Sequence, residues 1–214
     1  MYHYTNNINN VFDNHFYINL DERKDRNESI INELKKLGIT PNRFNAIKDS
    51  NGAVGCTKSH IAVIEKAIEN DWDYVCVFED DIIIQRENLL KKRVKKLLNK
   101  EWDVLMLSGN NMGEFIESEF GDYIKVSRCF TTGAYIIKKH YYKTWLDNMK
   151  ESVKQLEQSG DNQFCCDVYN HRLQQKDNWF LIIPICCYQK EDYSDIEKKV
   201  VDYKNVLIDY KKIY

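Results

Sequence analysis

The sequence is short of the residues that break chains into loops: two prolines and eight glycines in 214 residues. That scarcity excludes a collagen-like or Pro/Gly-rich disordered chain. No apolar run approaches the roughly 20 residues of a membrane-spanning helix, and Phe180 to Ile183 is among the longest. The formal net charge of -2 gives no global pull toward nucleic acid or anionic lipid. Met1 to Asn7 lacks the basic-then-apolar order of a signal peptide, so a cytoplasmic location is expected. CxxC spacing is absent, and the seven cysteines include two adjacent pairs, Cys165-Cys166 and Cys186-Cys187. Neither a disulfide framework nor a zinc-finger spacing follows from that pattern. Buried thiols are expected; the alternative is a metal gathered by Cys165, Cys166 and His171 with Cys186 or Cys187.

What is present is ordinary for a globular protein: 43% hydrophobic and 30% charged residues. The length suits one domain with its own core. Residues 1–13, polar and Asn-rich, are expected to form a flexible arm, and residues 14–214 a single domain. His15 to Leu20, Arg43 to Ile47, Tyr74 to Phe78 and Trp102 to Leu107 read as strands. Helical patterns separate them: one with Ile30, Ile31, Leu34 and Leu37 on one face, one from Val54 to Asn70, and one from Leu89 to Leu98. Later, Tyr123 to Ser127, Ala134 to Ile137 and Phe180 to Cys187 read as strands. Lys139 to Gln158 and Asn162 to Gln174 read as helices, and a polar tail follows. Alternating strands and helices predict an α/β fold with a mixed, mainly parallel sheet flanked by helices.

Chemistry concentrates at Glu79-Asp80-Asp81, three acids at the end of the most apolar strand. Alternation predicts Glu79 and Asp81 on one side and Asp80 on the other. Converging carboxylates there suit Mg²⁺ or Mn²⁺, which prefer oxygen ligands; spacing alone equally allows a solvated acidic turn. In Gly55 to His60, helical spacing puts Cys56 and His60 one turn apart, with Ser59 near the same face. They would face a ligand or, as single histidines usually do, form structural hydrogen bonds. Arg23 and Arg26 follow the first strand, where open α/β sheets bind ligands. Asp167 lies in an apolar helix opening and needs a partner or a task, such as capping or pairing with Arg172. Tyr141, Tyr142, Trp145 and Trp179 read mainly as packing, with a sugar platform or a homodimer interface as alternatives.

In this order the segments resemble glycosyltransferase family 25, which includes bacterial lipooligosaccharide and procollagen galactosyltransferases. The matching stretches are Phe16 to Leu20 with Arg23 and Asp25-Arg26, Gly55 to His60, Val77 to Asp81, Thr132 to Ile137, and Asp167. The resemblance spans about residues 15–195 and implies a GT-A-like single-domain fold with a UDP-sugar donor. It implies Asp81 as ligand of Mn²⁺ (or Mg²⁺), with Glu79 beside it, and places Asn19, Leu20, Arg23, Arg26, Ser59, His60, Phe78, Glu79 and Asp80 around the donor. It implies an inverting transfer to a glycan or protein hydroxyl, with Asp167 as general base and Asp161 in reserve. One departure stands out: the run Ile185 to Ile196 carries no histidine where family members often have one, leaving Gln189, Glu191 or Asp192. Its compact Tyr193-Ser194-Asp195-Ile196 pattern resembles short members encoded by large DNA viruses, for which host cytoplasm or virion would be the location. The alternatives are an inactive nucleotide-sugar-binding relative and a metal-dependent phosphohydrolase, the latter leaving Gly55 to His60 and Asp167 without a role.

Overall fold

The computed structural model describes residues 12–194, 196 and 198–211. The expected arm over residues 1–13 lies almost wholly outside that range, as does Asp195. Phe12, at its end, is fully buried with its ring 6.5 Å from that of Phe78, so packed structure already includes it.

The chain begins with β1 (His15–Asn19), α1 (Lys24–Lys36), β2 (Arg43–Asn45), α2 (Gly52–Glu69), β3 (Tyr74–Glu79), β4 (Ile82–Ile84), α3 (Glu87–Leu97) and β5 (Val104–Met106). There follow β6 (Asn110–Asn111), β7 (Phe115–Glu117), β8 (Tyr123–Val126), β9 (Cys129–Phe130), β10 (Ala134–Lys138) and α4 (Tyr142–Ser159). The last part holds α5 (Cys166–Tyr169), α6 (His171–Gln174), β11 (Trp179–Ile182), β12 (Cys187–Gln189), β13 (Asp192–Ser194), β14 (Lys199–Val201) and α7 (Lys204–Ile208).

Eight strands form the central sheet in the order β2-β1-β3-β10-β5-β11-β8-β7. All run one way except β10 and β8, which pair antiparallel with their neighbours. Alternation along each strand feeds two cores. Val75, Val77, Tyr135 and Ile137 pack with Ile64 and Trp145, on the side of α2 and α4. Cys76, Phe78, Ala134 and Ile136 pack with Leu34 and Val94, on the side of α1 and α3. Burying each such large side chain contributes about 1.5–3 kcal/mol, which is why apolar β3 takes a central place.

Three expected elements come out differently. The helix over 162–174 divides, because Cys165 is extended (ψ 146°), into a 3-10 turn, α5 and α6. The strand over 180–187 stops before Pro184, which has no N–H for the ladder, and resumes as β12 against β4. The polar tail folds as the β13–β14 hairpin and α7. Tyr141, Tyr142, Trp145 and Trp179 are all buried in the core, so they offer neither a sugar platform nor a dimer surface. No helix among the described residues is long and apolar enough to cross a membrane.

Candidate functional site

The same-direction strands β1 and β3 end side by side, with Ile18 opposite Glu79, and their carboxyl ends open into a cleft of about 430 Å³. On β3, Glu79 continues the row of Val75 and Val77 toward α2, while Asp80 continues that of Cys76 and Phe78 toward α1. The strand ends there. Asp81, in the following turn, shares Arg26 with Asp80 and still feels the charge of Glu79. Arg26 Nη1 of α1 donates to Asp80 Oδ1 at 3.0 Å and to Asp81 Oδ2 at 3.2 Å. Asn19 Nδ2 donates to Asp80 Oδ2 at 2.7 Å. Asp192 of the tail hairpin accepts from Arg26 Nε and Arg23 Nη2, each at 3.0 Å.

Glu79 meets a different set. His60 Nε2 lies 3.2 Å from Glu79 Oε1, and the Thr132 hydroxyl donates to that oxygen at 2.9 Å. Gln189 Nε2 reaches Glu79 Oε2 at 3.4 Å, because the β4–β12 pairing sets Gln189 opposite Ile82. Burial opposes the charge on Glu79, but the His60 contact outweighs it and holds the carboxyl below its usual range. Burial likewise pulls His60 down, and Glu79 more than restores it, so the imidazole stays basic. Asp81 goes the other way: burial and the neighbouring Glu79 charge push it up to about 7. Asp80 is also raised, chiefly by burial.

Asp81 Oδ1 and Gln189 Oε1 are buried without a hydrogen-bond partner. Around Arg23 and Arg26 stand Asp80, Asp81 and Asp192, with Glu79 next in line, so carboxylates outnumber guanidinium groups. Oxygen-only donors, an orphaned carboxylate oxygen and surplus negative charge fit a hard divalent cation. Glu191 is exposed, and Asp192 is engaged by the arginines; of the stand-ins for a histidine, Gln189 is the one placed at the acids.

A second cleft, of about 340 Å³, shares Cys56, Glu79 and Gln189 with the first. Asp167 lines it from the first turn of α5, where its Oδ1 accepts from the Val168 amide and its Oδ2 from the Thr131 amide at 3.3 Å. Thr131 adopts φ 73°, a left-handed conformation that costs a β-branched residue about 1–3 kcal/mol and directs its N–H at Asp167. Burial raises the Asp167 carboxyl despite these amides. Arg172 donates to the Tyr169 hydroxyl instead of pairing with Asp167. Asp161 is exposed and caps the 3-10 turn through Gln163, and it lines neither cleft.

Asn19, Leu20, Arg23, Arg26, Ser59, His60, Glu79, Asp80 and Asp81 all line the first cleft. Phe78 does not: it is fully buried against Phe12, and its expected donor contact is corrected to a core role. The Ser59 hydroxyl is already engaged, donating to Gly55 O and accepting from the Ile47 amide. The proposed gathering of Cys165, Cys166 and His171 with Cys186 or Cys187 does not form. Cys166 belongs to the α2/α4 core and Cys186 and Cys187 to the opposite one, while His171 packs edge-on against Phe130. The tail supplies Ser194 and Ile196 of the Tyr193 to Ile196 pattern, and also Lys198, Val201 and Tyr203, which no periodicity or motif marked. Thr132 and Cys166 were visible in the sequence, but not the contact of Thr132 with Glu79 or of Cys166 with Thr132.

A glycosyltransferase involved in the glycosylation of the major capsid of PBCV-1 has a similar fold. The superposition gives a TM-score of 0.54 at 9% identity and covers 87% of this chain and 96% of that one. The shared fold is mixed α/β and GT-A-like. Residues 49–123 match the model of glycosyltransferase family 25 (LPS biosynthesis protein). A protein of Haemophilus influenzae named "Putative glycosyltransferase" is 46% identical over 48 residues, which cover 22% of this chain and 17% of that protein. The matched family segment runs from Asp49 through α2, β3 and the acidic turn to β8, so it contains His60, Glu79, Asp80 and Asp81.

Proposed function

We propose that the chain transfers a hexose from a UDP-sugar to a hydroxyl of a glycan or protein acceptor, with inversion at the anomeric carbon. One observation carries this reading: Glu79 stands in the wall common to two clefts, one lined by Asp80, Asp81 and two arginines, the other by half-buried Asp167. The first suits a diphosphate with its cation, the second a hydroxyl that must lose a proton. Asp81 and Glu79 would hold Mn²⁺ or Mg²⁺, which when bound stabilises charge developing on the departing diphosphate. Arg23 and Arg26 flank the same position and would exchange Asp192 for phosphate oxygens. Asp167 takes the acceptor proton as the hydroxyl oxygen bonds to the anomeric carbon and the bond to UDP breaks.

The test is UDP release from a panel of UDP-sugars with and without Mn²⁺. Cation-dependent release is expected, and Asp81→Ala should lower kcat/KM by about 100-fold or more. Full activity in that variant would remove the cation from Asp81. Gln189 at the position facing Glu79 favours one second reading, a relative that binds the nucleotide-sugar without turnover. Binding of UDP with Mn²⁺ but no consumption of labelled donor in any acceptor mixture would establish it.

A further inference from the structure

The thiols of Cys56 and Cys166 have no part in the proposed transfer, yet they stand beside its machinery. Cys56 and His60 share one face of α2. Cys56 Sγ, a His60 ring nitrogen and a Glu79 carboxylate oxygen lie within 4.8 Å of one another, the one such grouping among the described residues. Cys166 arrives from α5. Its Sγ is 3.8 Å from the Thr132 hydroxyl, which itself donates to Glu79 Oε1, and the two thiols are hydrogen-bond partners.

This is a donor set of one sulfur, one imidazole nitrogen and one carboxylate oxygen, three protein ligands of the kind that zinc takes in a site with its fourth position open. Bond lengths of about 2.0–2.3 Å put neighbouring ligands of a tetrahedral zinc roughly 3.3–3.8 Å apart. The His60–Glu79 separation of 3.2 Å is close to that range. The outer support is also in place: His60 Nδ1 lies 3.0 Å from the Tyr135 hydroxyl, which fixes the ring with Nε2 facing the cluster, as metal-bound histidines are commonly held. Glu79 divides its oxygens, Oε1 toward this cluster and Oε2 toward Gln189. The sulfur-rich side is therefore distinct from the oxygen-only side at Asp81. Access exists, since Cys56 lines both clefts and Cys166 the second.

We propose that Cys56, His60 and Glu79, with the Cys166 thiol beside them, form a binding site for a thiophilic divalent cation of the Zn²⁺ type. Each coordinating thiol releases its proton to solvent on binding. The inference stands on these side chains and does not depend on the clefts transferring a sugar.

Titrating the metal-stripped full chain with Cd²⁺ tests it, because thiolate ligation produces an ultraviolet charge-transfer band. One equivalent is expected, displaceable by Zn²⁺, with the band lost in Cys56→Ser, weakened in Cys166→Ser and kept in Cys165→Ser. Tyr135→Phe, which removes only the outer hydrogen bond, should weaken Zn²⁺ binding by about 10- to 100-fold. No stoichiometric binding, or an unchanged band in Cys56→Ser, would overturn the proposal. Should Cys56→Ser fail to fold, alkylation of the wild-type chain mapped by mass spectrometry decides. Zn²⁺ should protect Cys56, and equal labelling with and without Zn²⁺ counts against the site.

Discussion

Glu79 and Asp81 are two residues apart and titrate in opposite directions. His60 offsets the burial of one, while the other faces Glu79's charge, relieved in part by Arg26, already shared with Asp80, and by Gln189. Asp81 is thereby the carboxylate with most to gain from a cation. Asp167 shows the complementary case, a carboxyl raised by burial although two amides stabilise its charge. A general base works ionised, so activity is lost as pH falls through this raised pKa. The acid limb of kcat/KM should therefore lie above the ordinary aspartate value of 3.8. Asp167→Asn should abolish that limb and lower kcat about 10²- to 10⁴-fold with the donor KM little changed. An acid limb that survives in Asp167→Asn would move the base elsewhere, and a pH–rate profile of both proteins reads it.

At the scale of elements, α2 matters most, because it carries Cys56 and His60 and also fixes the loop before it. Gly55 permits close approach: a Cβ there would stand 2.6 Å from Ile47 O. Ser59, one turn on, ties Gly55 O to the Ile47 amide. Gly55→Ala is expected to cost about 1–3 kcal/mol by overpacking and to raise the donor KM, since Ile47, Lys48 and Asp49 line the first cleft. Denaturant unfolding and steady-state kinetics measure the two effects, and an unchanged midpoint would mean that the loop yields freely. The division of the 162–174 helix has a similar consequence. The break at Cys165 starts a new helix at Cys166, which brings Asp167 and the Cys166 thiol together at the second cleft.

For the molecule as a whole, the tail closes the site. Asp192 and Tyr193 O bind Arg26, and Asp192 binds Arg23, which fastens the β13–β14 hairpin across the strand ends. Asp192→Asn removes the charge from both pairs, so limited trypsin digestion at Lys198 or Lys199 should become faster. Saturating UDP with Mn²⁺ should slow the same cleavage in the wild-type chain, because Ser194, Lys198 and Tyr203 line the cleft. Equal rates in all three conditions would detach the hairpin from donor binding.

Periodicity and strand composition determined, by themselves, most of the first half of the fold: the helices α1 to α3, strands β2 and β3 between them and the acidic turn that ends β3. Those are local properties, since apolar spacing states which face must be buried whatever covers it. The order of motifs likewise placed Asn19, Arg26, His60 and Asp81 at one cleft before any contact was known. Tertiary structure alone decided how charge is shared there. Asp81 turned toward Arg26 because β3 ended and alternation ceased to apply, and Phe78 went to the core because its row faces α1. It also decided the meeting of Cys56 with Cys166 and the closure by the tail. Such contacts join residues over a hundred positions apart, and they depend on strand order and helix breaks, which local pattern does not encode.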